Sequence, residues 1–200
     1  MNNGKAMGCR VRGCWYGGGV RADELNVDSA MGELMQALPG AKRALFARYH
    51  LGGCQSCAFS DKETLAELCA RSELDAGEVL AHLLDSHRHD LSMLIEPVEA
   101  QAKLQGYRLI DVRTREEHEA VRIEPSEFLT QELQQAVFAG DPAAKILLFD
   151  HSGRHVLDQV AWFRGHGLHE TYGLRGGIDA WSREIDPKIP RYRLEMDEGE

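Results

Sequence analysis

The stretch ILLFDHSGRHVL at residues 146–157 decides how the second half of this chain folds. Ile146, Leu147, Leu148 and Phe149 form a short unbroken apolar run. Such a run reads as a strand buried on both faces of a parallel sheet. Asp150, His151, Ser152, Gly153, Arg154 and His155 interrupt it with polar residues. Val156, Leu157, Val160, Ala161 and Phe163 then recur at helical spacing. A strand, a short loop and a helix in this order gather loop amides and a helix N-terminus around one point, the geometry that holds an anion. Asp150 to His155 are therefore the candidate binding loop.

Strand and helix signals alternate outward from this stretch. Met93-Leu94-Ile95 is a candidate first strand, and Pro97 suits a helix start. Val98, Ala102 and Leu104 carry that helix to about Gln105, and Tyr107 to Val112 reads as the next strand. Thr114 is placed to cap a helix running through His118, and Phe128, Leu129, Leu133, Val137 and Phe138 suggest a longer helical region. Residues 167–172 turn into a further strand, and a last helix carries Ala180 and Trp181, with Trp181 in the core. The alternation predicts an α/β fold, a parallel sheet flanked by helices. Ligands of such sheets bind at the C-terminal ends of strands, where the Asp150 loop falls.

Three pieces together carry a resemblance: Leu109-Ile110-Asp111-Val112-Arg113, the loop with its central Gly153, and LRGGIDAW at residues 174–181. With the ending DPKIPRY at 186–192, residues from about 93 to 192 resemble the rhodanese-like domain family. The resemblance implies that family's fold. It also implies a loop that, in active members, opens on cysteine in a CxxGxR pattern and carries sulfur as a persulfide. Here Asp150 stands three residues before Gly153, where the cysteine would be, and His155 replaces the arginine. The loop length is kept and the nucleophile is not. A carboxylate cannot form a persulfide, which requires a thiolate. Sulfurtransferase activity of this half is therefore not expected. Asp111 and Arg113 either line the site or form a structural ion pair. The stretch Val121-Arg122-Ile123-Glu124-Pro125 also departs from the family's usual sequence after its Asp-Val-Arg strand.

The chain has 200 residues and a net charge of −9. General affinity for nucleic acid or for anionic membranes is not expected from such a balance. No apolar run approaches the roughly 18 residues of a membrane span, and the start shows no signal-peptide pattern. A cytoplasmic protein is the expectation.

The five cysteines, Cys9, Cys14, Cys54, Cys57 and Cys69, all precede residue 70. In a cytosolic chain they favour redox or metal chemistry over structural disulfides. Residues 1–24, with Cys9 and Cys14, read as a flexible leader or a metal or partner site. Residues 25–86 read as a small all-helical domain. Met31, Leu34, Met35 and Leu38 make one stripe, and Ala44, Leu45 and Phe46 begin a second helix. Ser60 to Glu63 has the form of a capping box, and Asp75 to Glu78 repeats the start signal. Residues 87–92 read as a polar linker to the α/β domain at 93–200. A metal site drawn from His82, His87, His89, Asp85 and Asp90 is the alternative there.

Cys54 and Cys57 form CxxC on a glycine-rich turn after His50. The segment 25–86 resembles small helical domains of the DUF1858 type, described as redox-disulfide domains associated with hybrid-cluster proteins. Cys54 and Cys57 match that family's paired cysteines. Three readings stay open. The pair is a reactive dithiol passing electrons or sulfur, its pKa lowered by the motif and a helix dipole. Alternatively, His50, Cys54, Cys57 and Cys69 hold zinc or an iron–sulfur cluster. Or the thiols are inert, with Cys69 a core residue. The sequence thus points to a sulfur or thiol-redox relay needing no cofactor, with a partner protein or a small anion bound by the α/β half. The competing class is a non-catalytic binding or regulatory protein.

Overall fold

The computed structural model describes residues 21–52 and 58–192. Cys9, Cys14, Cys54 and Cys57 lie outside them, so the readings placed on those cysteines stand as sequence readings.

Four helices come first: α1 (Met31–Ala37), α2 (Ala41–Tyr49), α3 (Leu65–Arg71) and α4 (Ala76–Ser92). They close on a core of their own, in which Met31, Leu34, Leu45, Leu65 and Leu68 are fully buried. The start signals explain the helix bounds. Thr64 accepts from the Glu67 amide and Glu67 reaches back to the Thr64 amide, a reciprocal cap for α3. The expected capping box at Ser60 is thus displaced by one turn; Ser60 instead closes the turn before it through the Lys62 and Glu63 amides. Asp75 caps α4 through the Glu78 amide, as its spacing predicts.

Residues 87–92 are not an extended linker. They continue α4, which runs unbroken for 17 residues. Their polarity is that of a helix surface: Asp85 pairs with Arg88 one turn on, while Asp90 turns inward.

The α/β half follows as β1 (Leu94–Ile95), α5 (Pro97–Ala102), β2 (Arg108–Asp111), α6 (Arg115–Ala120), β3 (Glu127–Phe128), α7 (Gln131–Phe138), β4 (Ile146–Phe149), α8 (Val156–Gly165), β5 (Thr171–Leu174) and α9 (Gly177–Glu184). The five strands form one parallel sheet in the order β1-β5-β4-β2-β3. β4 lies at its centre, and all four of its residues are buried, as a run covered on both faces must be. Ile146 and Leu148 enter one apolar layer with Val156, Val160 and Phe163 of α8. Leu147 and Phe149 enter the other with Ile178 and Trp181 of α9. Phe128, read as helical, is in β3; α7 begins after Thr130, whose hydroxyl caps it through the Leu133 amide.

No helix among the described residues is long and apolar enough to cross a membrane.

Candidate functional site

Asp150 follows β4 directly and is 6% exposed. Its carboxylate lies inside the loop that it opens. One oxygen accepts from the Gly153 amide, and the other accepts from the amides of His155 at 2.8 Å and Val156 at 3.1 Å. These are the donors that a strand–loop–helix turn offers to an anion. Here a side chain of the loop takes them, through charge-assisted bonds of the stronger kind.

The loop is also fixed from outside. Its Asp150 carbonyl accepts from the Ile178 amide at 2.9 Å and its His151 carbonyl from the Asp179 amide at 3.1 Å, both in the first turn of α9. This approach requires glycine on both sides. Gly153 has φ +80 and faces the Gly176 backbone; Gly177 has φ +59 and faces the Asp150 and His151 carbonyls. A Cβ at either would collide with backbone. Ser152, Arg154 and His155 point their exposed side outward, while His151 is half-buried with its ring against Tyr192, centroids 4.5 Å apart.

Asp111 and Arg113 sit on the neighbouring strand end as a buried ion pair, their side chains 0% and 1% exposed. Arg113 Nε donates to Asp111 Oδ1 at 2.9 Å, and Nη2 to Asp111 Oδ2 at 2.6 Å. Nη2 also reaches the Val121 carbonyl, and Nη1 donates to the Tyr192 hydroxyl. His118 contributes Nδ1 at 2.9 Å from Asp111 Oδ2. Burial opposes the Arg113 charge, yet the Asp111 bonds prevail and hold its pKa above the ordinary value. Every polar arm of this arginine is thus engaged within the protein.

Tyr192 joins the two clusters. Its hydroxyl accepts from Arg113 and donates to Glu117 Oε1 at 2.6 Å. Burial first, and the Glu117 bond second, push the phenol well above its usual range. Burial of Glu117 acts against its charge, but the bonds from Tyr192 and Thr114 outweigh it and its pKa lies below the usual value. The preceding strap is held by Ser182 Oγ donating to the Ile189 carbonyl and by Arg191 against Asp179 at 2.7 Å. Tyr192, Glu117 and His118 were not singled out from sequence, because their roles depend on a tail folding back over a strand end. The quoted ending DPKIPRY was the one available signal.

The helical half meets the α/β half through charge. Arg43 of α2 pairs with Asp90 of α4 at 2.6 Å and with Asp158 of α8. Asp90 is 2% exposed; burial raises its pKa and Arg43 offsets the shift. His87 lies nearby with its pKa lowered, first by burial, against the pull of Asp90 and with the push of Arg175. Arg175, after β5, pairs with Glu96 at 2.6 Å.

Of the alternative metal set, Cys54 and Cys57 lie outside the described residues, and Cys69 and His50 lie within them. Cys69 is 1% exposed among Leu65 and Leu68, where burial raises its thiol pKa. His50 ends α2 with φ 57 and is exposed. The histidines and aspartates of α4 have other neighbours: His82 lies on Arg48 and Tyr49, Asp85 on Arg88, and Asp90 on Arg43. Among the described residues no three His, Cys, Asp or Glu are grouped to hold a metal ion.

Residues 96–184 match the family model of the rhodanese-like domain. Solved structures similar to the chain include a rhodanese-related protein from Thermoplasma volcanium, with 22% identity over 46% of this chain and 91% of that one, at a TM-score of 0.41. A rhodanese-like domain protein from Staphylococcus aureus has 20% identity over 46% and 93%, at 0.40. A human single-domain sulfurtransferase has 18% identity over 46% and 96%, at 0.41. No curated protein matches the chain.

Proposed function

We propose, on the premise of a rhodanese-like domain at residues 96–184, that this protein is a cytoplasmic sulfur or thiol-redox relay. Cys54 and Cys57 are its reactive pair, and the rhodanese-like half recognises a partner protein or small anion without sulfurtransferase chemistry of its own. The observation that carries this reading is the Asp150 carboxylate seated on the Gly153, His155 and Val156 amides. Asp150 stands where the resemblance places the sulfur-carrying cysteine. It supplies the negative charge that a loop persulfide or a bound oxyanion would otherwise bring. An anion at the inner amides meets repulsion in place of unpaired donors, so a small anion would be attracted by the side chains of His151, Arg154 and His155.

The location of the thiols supports the division of labour. Residues 93–200 contain no cysteine, and Cys69 is buried in the helical core. Thiol chemistry therefore falls to the cysteines before residue 58. In the relay, the two thiols form one disulfide bond and pass two electrons and their two protons to a partner disulfide, which is reduced to two thiols; exchange proceeds by thiolate attack through a mixed disulfide.

Two measurements test this together. Alkylation and mass spectrometry across a redox titration should show Cys54 and Cys57 protected as a pair at oxidising potentials and labelled at reducing ones. Labelling of both at every potential, in protein without metal absorbance, would end the relay reading. A thiosulfate-to-cyanide assay should find no activity in wild type and a gain in Asp150→Cys. Activity in wild type that survives replacement of both Cys54 and Cys57 would overturn the assignment of Asp150. A brown protein with charge-transfer absorbance would replace the dithiol with an iron–sulfur site.

A further inference from the structure

We propose that the exposed face of α2, the row Lys42, Phe46 and His50, docks an acidic segment of the protein whose disulfide Cys54 and Cys57 reduce. The identity of that partner rests on the relay reading; the face itself stands on α2 alone.

The charge of α2 runs against that of the chain. The protein carries 32 acidic residues and a net charge of −9, yet no Asp or Glu stands between Glu33 and Asp61. α2, with the sequence AKRALFARY, has Lys42, Arg43 and Arg48 and no acid, while every other α-helix described has at least one. Lys42 and Arg43 sit in its first turn, where the helix dipole disfavours a cation. Arg43 is compensated by Asp90 and Asp158. Lys42 is exposed and has no carboxylate partner among the described residues. Its unfavourable place on the helix is not offset within the fold, and a carboxylate from outside would offset it.

An exposed phenylalanine alone needs no explanation. Phe46, however, is 52% exposed one turn from Lys42 and one turn from His50, so the three share one side of the helix. The His50 ring meets the Phe46 ring edge to face, centroids 6.1 Å apart. His50 is itself fixed, in the left-handed conformation that ends α2, with its amide donating to the Phe46 carbonyl at 3.0 Å. The opposite side of α2 is taken by Ala41, Ala44 and Leu45, buried in the helical core. The row is thus a preformed cation followed by two rings, about 12 Å long. A carboxylate on Lys42 and an apolar side chain on Phe46 complement it, the first steering encounter and the second holding the contact.

The row lies where the thiol-bearing segment begins. A Cβ at Gly52 would be 3.9 Å from Lys42 Cγ, so Gly52 lies against the Lys42 stem. Cys54 follows Gly52 by two residues, at most about 7 Å of chain. A partner held on Lys42 and Phe46 therefore brings its disulfide to the cysteines.

Two peptides of equal length test this with the full-length chain. Each carries one leucine and a cysteine pair closed as a disulfide; glutamates flank the pair in one and lysines in the other. With serines in place of the cysteines, the glutamate peptide should move the amide resonances of residues 42–50, and the lysine peptide should not. Unmoved resonances would overturn the docking face whatever the thiols do. With the disulfides in place, the reduced protein should reduce the glutamate peptide about tenfold faster than the lysine peptide, against the −9 charge of the whole chain. The preference should vanish in 1 M salt, where charges beyond about 3 Å are screened. Lys42→Glu should bring the two rates together, and Phe46→Ala should slow the glutamate peptide roughly fivefold. Lys188→Glu, the same charge change in the α/β half, should keep the preference. Equal rates in wild type, or an equal loss in Lys188→Glu, would overturn the proposal. Resonances moved by the glutamate peptide, with neither peptide nor glutathione disulfide reduced, would support the docking face and end the relay reading.

Discussion

Arg113 donates to the Tyr192 hydroxyl at 2.6 Å across 79 residues of sequence, and this bond fastens the C-terminal strap to the end of β2. The same hydroxyl donates to Glu117 at 2.6 Å, so one phenol satisfies a buried arginine and a half-buried carboxylate. The strap in turn places Tyr192 against His151 of the Asp150 loop.

Replacing Tyr192 with phenylalanine should therefore cost more than one surface bond. Arg113 Nη1 and Glu117 lose their shared partner while the ring still covers them. A loss of about 1–3 kcal/mol is expected, read as a fall of roughly 2–4 °C in Tm per kcal/mol for a chain of this size. The phenol's pKa is raised in the folded state, first by burial. Its contribution is complete below the unfolded tyrosine value near 10 and is lost as pH rises through and beyond it. Wild type should therefore lose stability above about pH 10 more steeply than Tyr192→Phe. Parallel curves would contradict the buried hydroxyl.

Asp150→Asn should destabilise the loop despite its matching shape. An amide offers one accepting oxygen where the carboxylate offers two, and its NH2 group would face backbone N–H donors. About 2–4 kcal/mol is expected, with a larger loss for Asp150→Ala, which orphans all three amides. Chemical denaturation measures both. Equal stability of all three proteins would mean that Asp150 does not hold the loop.

Gly153→Ala tests the closeness of loop and α9. The site has φ +80, and a Cβ there would strike the Gly176 backbone. The combined strain and displacement should cost about 2–4 kcal/mol, with protease cleavage appearing in the 150–155 loop. A neutral substitution would show that the loop can move away from α9 at no cost.

The charge cluster between the halves should respond to acid. Asp90 of its own helix and Arg175 after β5 act on His87; Arg43 of α2 pairs with Asp90 and with Asp158 of α8, and Glu96 pairs with Arg175. His87 has a lowered pKa, so its contribution is present above the unfolded histidine value near 6.5 and is lost as pH falls below it. Asp90 has a raised pKa, so it acts the other way: stability present below the ordinary carboxylate range near 3.9 is lost as pH rises through its folded value. As pH falls from 7 through the unfolded histidine value near 6.5, the His87 change is the one that lowers stability. His87→Gln should flatten the fall in Tm over that interval, and an unchanged slope would assign the acid sensitivity to other histidines.

Residues 93–200 expressed alone should fold. The apolar core of the helical half draws on residues 22–84, and the two layers around the sheet draw on 93–192, with no shared member. Among the described residues the halves meet through polar groups, Arg43 with Asp158 and His87 near Arg175, and through α4, which runs on to β1. A native-like circular dichroism spectrum with cooperative melting is expected, and a disordered chain would show that the helices complete the second core.

The sequence by itself determined the elements whose causes are local. The run Ile146 to Phe149 could only be covered on both faces, and it is the central strand. Thr114 and Asp75 announced their helices because a cap and its target amide lie three residues apart. The glycines of the loop and of LRGGIDAW were legible as pieces of the family resemblance, but not that they approach each other. Tertiary structure alone decided the rest. Polar spacing at 85–92 fits a linker and a solvated helix face equally, and only the packing of Asp90 under Arg43 distinguishes them. That Asp150 turns inward onto three amides, that Arg113 is sealed in a buried pair, and that Tyr192 returns to bind both Arg113 and Glu117 depend on which distant backbone comes within hydrogen-bond reach. Hydrogen bonds act over about 3 Å, and separation along the chain carries no information at that scale until the sheet has formed.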